Sequence, residues 1–151
     1  MQSPGKLSLN GDRWTPFVRT LQFEGVDFTD AVFKLQVRDR KDGGAIRADL
    51  ATVATGAAEG VRLIYGGTDT VANHISAGRI DEVPDGMTTS TTLPLSLVGI
   101  RINESTMEGM TPAQEIGGDA QAWWDLHVTP SGALKELYLF GPFTIRAGVT
   151  E

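Results

Sequence analysis

Cysteine is absent from the 151 residues, which excludes disulfide scaffolds, thiolate metal sites and cysteine nucleophiles. Histidine is nearly absent too: His74 and His127 are the two copies, and neither has a partner at a metal-binding spacing such as H-x-x-x-H. No apolar run is long enough to cross a bilayer, and the opening residues Met1-Gln2-Ser3-Pro4-Gly5-Lys6 lack the apolar stretch of a signal peptide. A soluble chain without membrane contact, outside the signal-peptide route, is expected. Basic charge is scarce, with 13 Lys and Arg against 19 Asp and Glu for a net charge of -6. No basic cluster stands out along the chain, which argues against nucleic acid, because phosphate contacts need Lys and Arg gathered on one face. The patterns G-x-S-x-G, G-x-G-x-x-G and the P-loop are all missing, so neither a serine-hydrolase elbow nor phosphate cradling is indicated.

What is there is extended structure. A chain of this length fits one domain, residues 1–151, burying roughly two thirds of the surface its unfolded form exposes. Its 18 glycines and pervasive period-2 alternation predict an all-β fold, a single antiparallel β-sandwich of about seven or eight strands with long loops. The clearest strand sets Ala31, Phe33, Leu35 and Val37 on one face and Val32, Lys34, Gln36 and Arg38 on the other. Leu7 and Leu9 suggest a short strand before a tight turn at Asn10-Gly11-Asp12. Phe17, Leu21 and Phe23 mark another strand, whose start Pro16 confines to an edge. Asp27 and Asp30 suit a turn. Val61 to Tyr65 reads as a strand ending before Gly66-Gly67, whereas Asp69 to Ile80 gives no clear element. Leu93, Leu95 and Leu97 share one phase and Val98, Ile100 and Ile102 the other, which a β-bulge near Gly99 would reconcile. Helix signals are confined to Met107 to Glu115, where Thr111-Pro112 opens about one turn before Gly117-Gly118 stops it.

The strongest signal runs from Ala122 to Gly132. Trp124, Leu126 and Val128 alternate with Asp125, His127 and Thr129, and Pro130-Ser131-Gly132 then reverses the chain. The return strand has two registers. A two-residue loop puts Leu137 and Leu139 inside with Trp124 and leaves Trp123, Tyr138 and Phe140 outside; a three-residue loop exchanges the faces. After Gly141-Pro142 a further run, Phe143 to Ala147, alternates in the same way. An alternating strand buries only one of two adjacent tryptophans in the same core, so Trp123 must be covered by a loop, with Met107 to Met110 as a candidate, or by another chain. Trp123, Tyr138 and Phe140 are therefore the protein-interface candidates.

Other chemistry is thin. Asp39 and Asp42 suggest calcium, but Arg40 and Lys41 oppose a cation and the EF-hand spacing is absent. His127 beside Asp125 reads as a solvated histidine on a sheet rather than a catalytic base. Asp81, Glu82 and Asp85 flank a Pro-Asp-Gly turn, where carboxylates are usually solvated. Asn103-Glu104-Ser105 matches a glycosylation triplet without other support. No catalytic residue, metal or cofactor is expected.

Taken together, Asp27-Phe28-Thr29-Asp30-Ala31 leading into Phe33-Lys34-Leu35-Gln36-Val37-Arg38, the Trp124-Asp125-Leu126 strand with its Pro-Ser-Gly turn, and Gly141-Pro142-Phe143-Thr144-Ile145 closing on Gly148-Val149-Thr150 resemble tailed-phage virion proteins. More narrowly, they are similar to immunoglobulin-like domains of baseplate upper and tail-fibre proteins. The resemblance covers roughly the first forty and the last thirty residues, and the stretch Gly66 to Gly118 is longer than a minimal domain of that kind. It implies a non-enzymatic structural component of a bacteriophage particle, located in the virion after assembly in the host cytoplasm. Other tail, baseplate or fibre chains and further copies of itself would be its partners. A capsid decoration protein and a host-surface glycan-binding module are the alternatives, and a small β-fold hydrolase or lyase is a distant third.

Overall fold

The computed structural model describes residues 5–41, 43–110 and 120–146. Strand makes up 54 % and helix 9 %, so the chain is all-β. The strands are β1 (Gly5–Lys6), β2 (Leu9–Asp12), β3 (Phe17–Glu24), β4 (Val32–Arg38), β5 (Ile46–Ala51), β6 (Gly60–Thr70), β7 (Thr92–Ile102), β8 (Ala120–Thr129) and β9 (Glu136–Arg146). Two short helices, α1 (Val71–Ser76) and α2 (Glu104–Gly109), complete them. One sheet has the order β1-β9-β8-β4-β5 with β2 also on β9, and the other is β3-β7-β6.

Alternation explains the core between the sheets. Phe33, Leu35 and Val37 of β4 and Trp124, Leu126 and Val128 of β8 are buried, as are Val98, Ile100 and Ile102 of β7 from the opposite sheet, and all join one cluster. The expected β4 and β8 faces are thus observed. β3 is an edge strand that begins just after Pro16. The turn between β3 and β4 rests on Asp27, whose carboxylate accepts from the Thr29 amide at 2.9 Å, and on Asp30, which takes a left-handed φ of 62°. Ser96 pins this turn to β7, its hydroxyl accepting from the Phe28 amide at 2.8 Å and donating to the Val26 carbonyl at 2.9 Å.

The larger sheet is mixed, not antiparallel throughout, because β1 and β2 run parallel to β9. Parallel partners need a long connection, and here nearly the whole chain supplies it. Asn10-Gly11-Asp12 is part of β2 rather than a turn. Gly11 is there for close packing: a Cβ on it would lie 2.7 Å from the Met107 Cε and 3.2 Å from Phe17. Gly141-Pro142 does not separate two strands either, since β9 runs straight through it. The N-terminal strand instead breaks opposite that pair, between Lys6 and Leu9. Proline has no N–H to give a neighbour, and the break spares it one. The Leu7 carbonyl occupies the space a Cβ on Gly141 would fill, and it accepts the Trp124 indole N–H at 2.9 Å.

β7 has no bulge at Gly99; its pairing with β3 is regular from Phe17↔Ile102 to Glu24↔Leu95. The two apolar phases persist because its two halves bury opposite faces. Val98, Ile100 and Ile102 face the main core, while Leu93 and Leu95 form a second cluster with Val71 and Ile80. A register shift does occur one strand away, between Leu63 and Tyr65 of β6. β6 also continues past Gly66-Gly67 to Thr70, whose hydroxyl caps α1 by accepting from the Asn73 amide at 3.2 Å. α2 begins directly after Asn103, and Met107 and Met110 seal an end of the main core. The turn of helix expected at Thr111 to Glu115 lies outside the described residues.

Candidate functional site

β8 is flanked by β4 and β9, so its outward residues sit in a three-strand row. Trp123 is opposite Arg38 and Pro142, Asp125 opposite Gln36 and Phe140, and His127 opposite Lys34 and Leu137. The hairpin adopts neither expected register. A β-turn closes at Pro130, with Ala133 donating to the Pro130 carbonyl at 3.1 Å and Gly132 at φ 73°. β9 then starts only at Glu136, and the pairing slips between Leu126 and His127. The extra residue is Tyr138. It turns inward, while Leu137 and Phe140 stay with Trp123 on the outside.

Tyr138 is therefore removed from the expected outer trio. It is 8 % exposed and packs edge-on against Phe28 at 5.1 Å and Phe23 at 6.4 Å between centroids. Burial raises its phenol pKa above the usual 10.0, helped by the charge of Glu136. Leu137 replaces it outside. The three-residue register places Tyr138 inside and Leu137 outside but Phe140 inside as well; the single unpaired residue lets Phe140 stay outside, and a bulge of one residue leaves no sequence signal.

The resulting groove, about 350 Å³, is lined by Trp123, Leu137 and Phe140, with Arg38, Lys41 and Asp125 around them. Trp123 is half-buried. Its cover is Lys41, from the β4–β5 connection, whose Nζ lies 5.9 Å from the ring centroid; the Met107 to Met110 segment is in the core and does not reach it. Beside the groove, Arg38 donates to Gln36 at 2.6 Å and Lys34 pairs with Asp49 at 3.2 Å. His127 Nδ1 lies 3.4 Å from Asp125 Oδ1, yet that oxygen is buried without a hydrogen bond. A well-formed hydrogen bond needs a shorter and better aligned contact, so the two side chains lie side by side without a defined proton path.

The other sequence candidates lie apart. Asp39 is gripped bidentately by Arg47, at 2.6 and 2.9 Å, which holds its carboxyl below the ordinary range; Asp42 lies outside the described residues. Asp81, Glu82 and Asp85 line a shallow acidic groove with Glu24, and among the described residues no three His, Asp or Glu side chains could hold a metal. Asn103 opens α2 and accepts from Arg101 at 3.0 Å. His74 is fully buried. It faces the Leu93 carbonyl through Nε2 at 2.8 Å and the Arg79 guanidinium through Nδ1 at 3.2 Å. The carbonyl only accepts and the guanidinium only donates, so the pair together select the Nε2–H tautomer. Arg79 also stacks 3.9 Å over Tyr65 and pairs with Asp69. The sequence signalled none of this, because the cluster joins β6, α1 and the turn after it.

No family model matches the chain, and no curated protein matches it significantly. Among solved structures, a family 123 glycoside hydrolase from Clostridium perfringens, described for glycolipid glycan hydrolysis, aligns with 97 % of this chain and 24 % of its own. The identity is 6 % and the TM-score 0.40, a likeness on which no argument about this chain rests.

Proposed function

We propose that the chain is a non-enzymatic structural component of a bacteriophage particle, an immunoglobulin-like β-sandwich in the baseplate or at the root of a tail fibre. In this reading neighbouring virion chains hold it by the outer face of β4, β8 and β9. The observation that carries the proposal is the groove of Trp123, Leu137 and Phe140 inside a rim of Arg38, Lys41 and Asp125. An apolar centre rich in aromatics and surrounded by charge is the arrangement of a protein interface. The test is Trp123→Ala in assembling particles. Folded variant protein should be incorporated at least about tenfold less well than the unaltered chain, as expected when a buried interface tryptophan is truncated. Equal incorporation, or absence of the unaltered chain from purified particles, overturns the reading; a capsid decoration role would place the copies on the head instead.

A second reading is a host-surface glycan-binding module. Its support is the juxtaposition of the Trp123 ring with Asp125 and Arg38, a stacking surface beside hydrogen-bonding side chains. Retention on a glycan array that is lost in Trp123→Ala, without any particle defect, favours this reading over the structural one.

A further inference from the structure

The two broad faces of the molecule carry surfaces of opposite character. On the larger sheet the groove has an apolar floor of Trp123, Leu137 and Phe140, with Arg38 and Lys41 beside it. Neither cation pairs with a described carboxylate: Arg38 donates to Gln36, and Lys41 lies over the Trp123 ring. A third cation, the exposed Lys6 of β1, stands directly opposite Phe140, and residues paired across neighbouring strands share a face. Asp125 is the one carboxylate lining the groove, and its Oδ1 is buried beside His127. The surface is therefore locally cationic on a chain whose net charge is -6.

The connection from α1 to β7 presents the converse. Ile80 and Met87 pack into the second apolar cluster and anchor its ends. Between them the Met87 amide donates to the Pro84 carbonyl at 3.1 Å, with Gly86 at φ 79°, so a turn fixes the loop's shape. Asp81, Glu82 and Asp85 are left exposed, and no described cation pairs with any of them. Val83 sits among them, 36 % exposed. Of the large apolar side chains exposed among the described residues, it alone has carboxylates within two positions on both sides, Asp81 and Glu82 before it and Asp85 after. This loop neighbours Gln22 and Glu24, which alternate with the core residues Leu21 and Phe23 of β3 and so point out of the smaller sheet. The whole core therefore separates the loop from its own groove, and only another molecule can bring the two surfaces together.

We propose that the groove receives the 81–85 loop of a second copy of this chain, with Val83 entering between Trp123, Leu137 and Phe140 while the carboxylates on either side of it meet Arg38, Lys41 and Lys6. The proposal rests on the reading of the groove as a protein interface and names its occupant. Apolar surface meets apolar surface at the centre, which supplies affinity, and cations meet carboxylates around it, which sets orientation. At about 350 Å³ the groove has room for Val83 with Pro84 behind it. Groove and loop are different surfaces on opposite faces, so the contact is head-to-tail. Each copy offers its groove to one neighbour and its loop to another, an arrangement that builds rings or filaments rather than closed two-fold pairs.

The experiment is sedimentation velocity on the purified full chain at low ionic strength, with the concentration raised to about 1 mM so that weak contacts register. The unaltered chain should form oligomers that grow with concentration. Trp123→Ala, which lacks the groove's centre, and Val83→Asp, which lacks the loop's apolar tip, should each weaken association about tenfold or more. Mixed in equal amounts, the two variants should give dimers that grow no further, because only the groove of Val83→Asp can take the loop of Trp123→Ala. An unaltered chain that stays monomeric, or a mixture that associates no better than its components, overturns the proposal. Charge reversal decides the matter should either variant fold poorly. Arg38→Glu with Lys41→Glu, and Asp81→Lys with Glu82→Lys, should each weaken association, and a chain carrying all four changes should regain it; no recovery overturns the proposal. Incorporation into particles separates this contact from the virion reading. If Val83→Asp enters particles as well as the unaltered chain while Trp123→Ala does not, a different virion chain fills the groove, and the virion reading stands without this one. Head-to-tail association by a chain absent from particles does the reverse.

Discussion

Trp123 and Trp124 are adjacent in sequence and opposite in environment. Trp124 is 2 % exposed with its indole N–H satisfied, and Trp123 is half-buried under a lysine. Trp124→Ala should therefore cost roughly 3–5 kcal/mol, as large-to-small core changes do, and Trp123→Ala little. Chemical denaturation of both variants checks this, and equal losses would show that Trp123 serves the core. Tyr138 provides a pH-dependent counterpart. Its folded pKa is raised above 10.0, so the neutral phenol contributes stability that is complete below 10.0 and is lost as pH rises through the folded value. Melting curves of the unaltered chain and Tyr138→Phe should run parallel below pH 10.0 and separate above it, with the phenylalanine variant relatively more stable. Curves that stay parallel into the alkaline range contradict the burial of that hydroxyl.

At the scale of elements, the break between β1 and β2 is set by two residues on another strand. Gly141 leaves room for the Leu7 carbonyl, and Pro142 needs no acceptor from the same stretch. In Gly141→Ala the N-terminal segment must lift from β9, and the Trp124 indole loses its acceptor. A lowered melting temperature with faster exchange of that indole proton is expected. Gly109→Ala is the control, because a Cβ there meets nothing within 4 Å and alanine is the better helix former. α1 is held by less. Its cluster contains four buried residues, against twenty-four in the main core, so it belongs to the low-stability end of the molecule. Hydrogen exchange at the Ala77 and Arg79 amides, which bond to Asn73 and His74 of α1, should report a local opening well before the β8 amides exchange. Simultaneous exchange would make the two clusters one cooperative unit.

At the scale of the whole molecule, the sequence by itself determined that the chain is all-β and which faces of β4 and β8 are buried. Phe33, Leu35 and Val37 could be placed inside, and Trp124 inside with Trp123 outside, because side-chain alternation is a local property of extended backbone. The edge position of β3 was legible from Pro16 for the same reason, as a single residue without an N–H restricts its own strand. Only the tertiary structure decided what depends on partners distant in sequence. The parallel docking of β1 and β2 joins the two ends of the described chain, and no periodicity encodes a partner. Tyr138 turned in while Phe140 stayed out through one unpaired residue, which leaves no trace in composition. α1 and α2 are too short to show a 3.6-residue period, and Gly11 resembled a turn glycine because the Met107 that packs against it lies far along the chain.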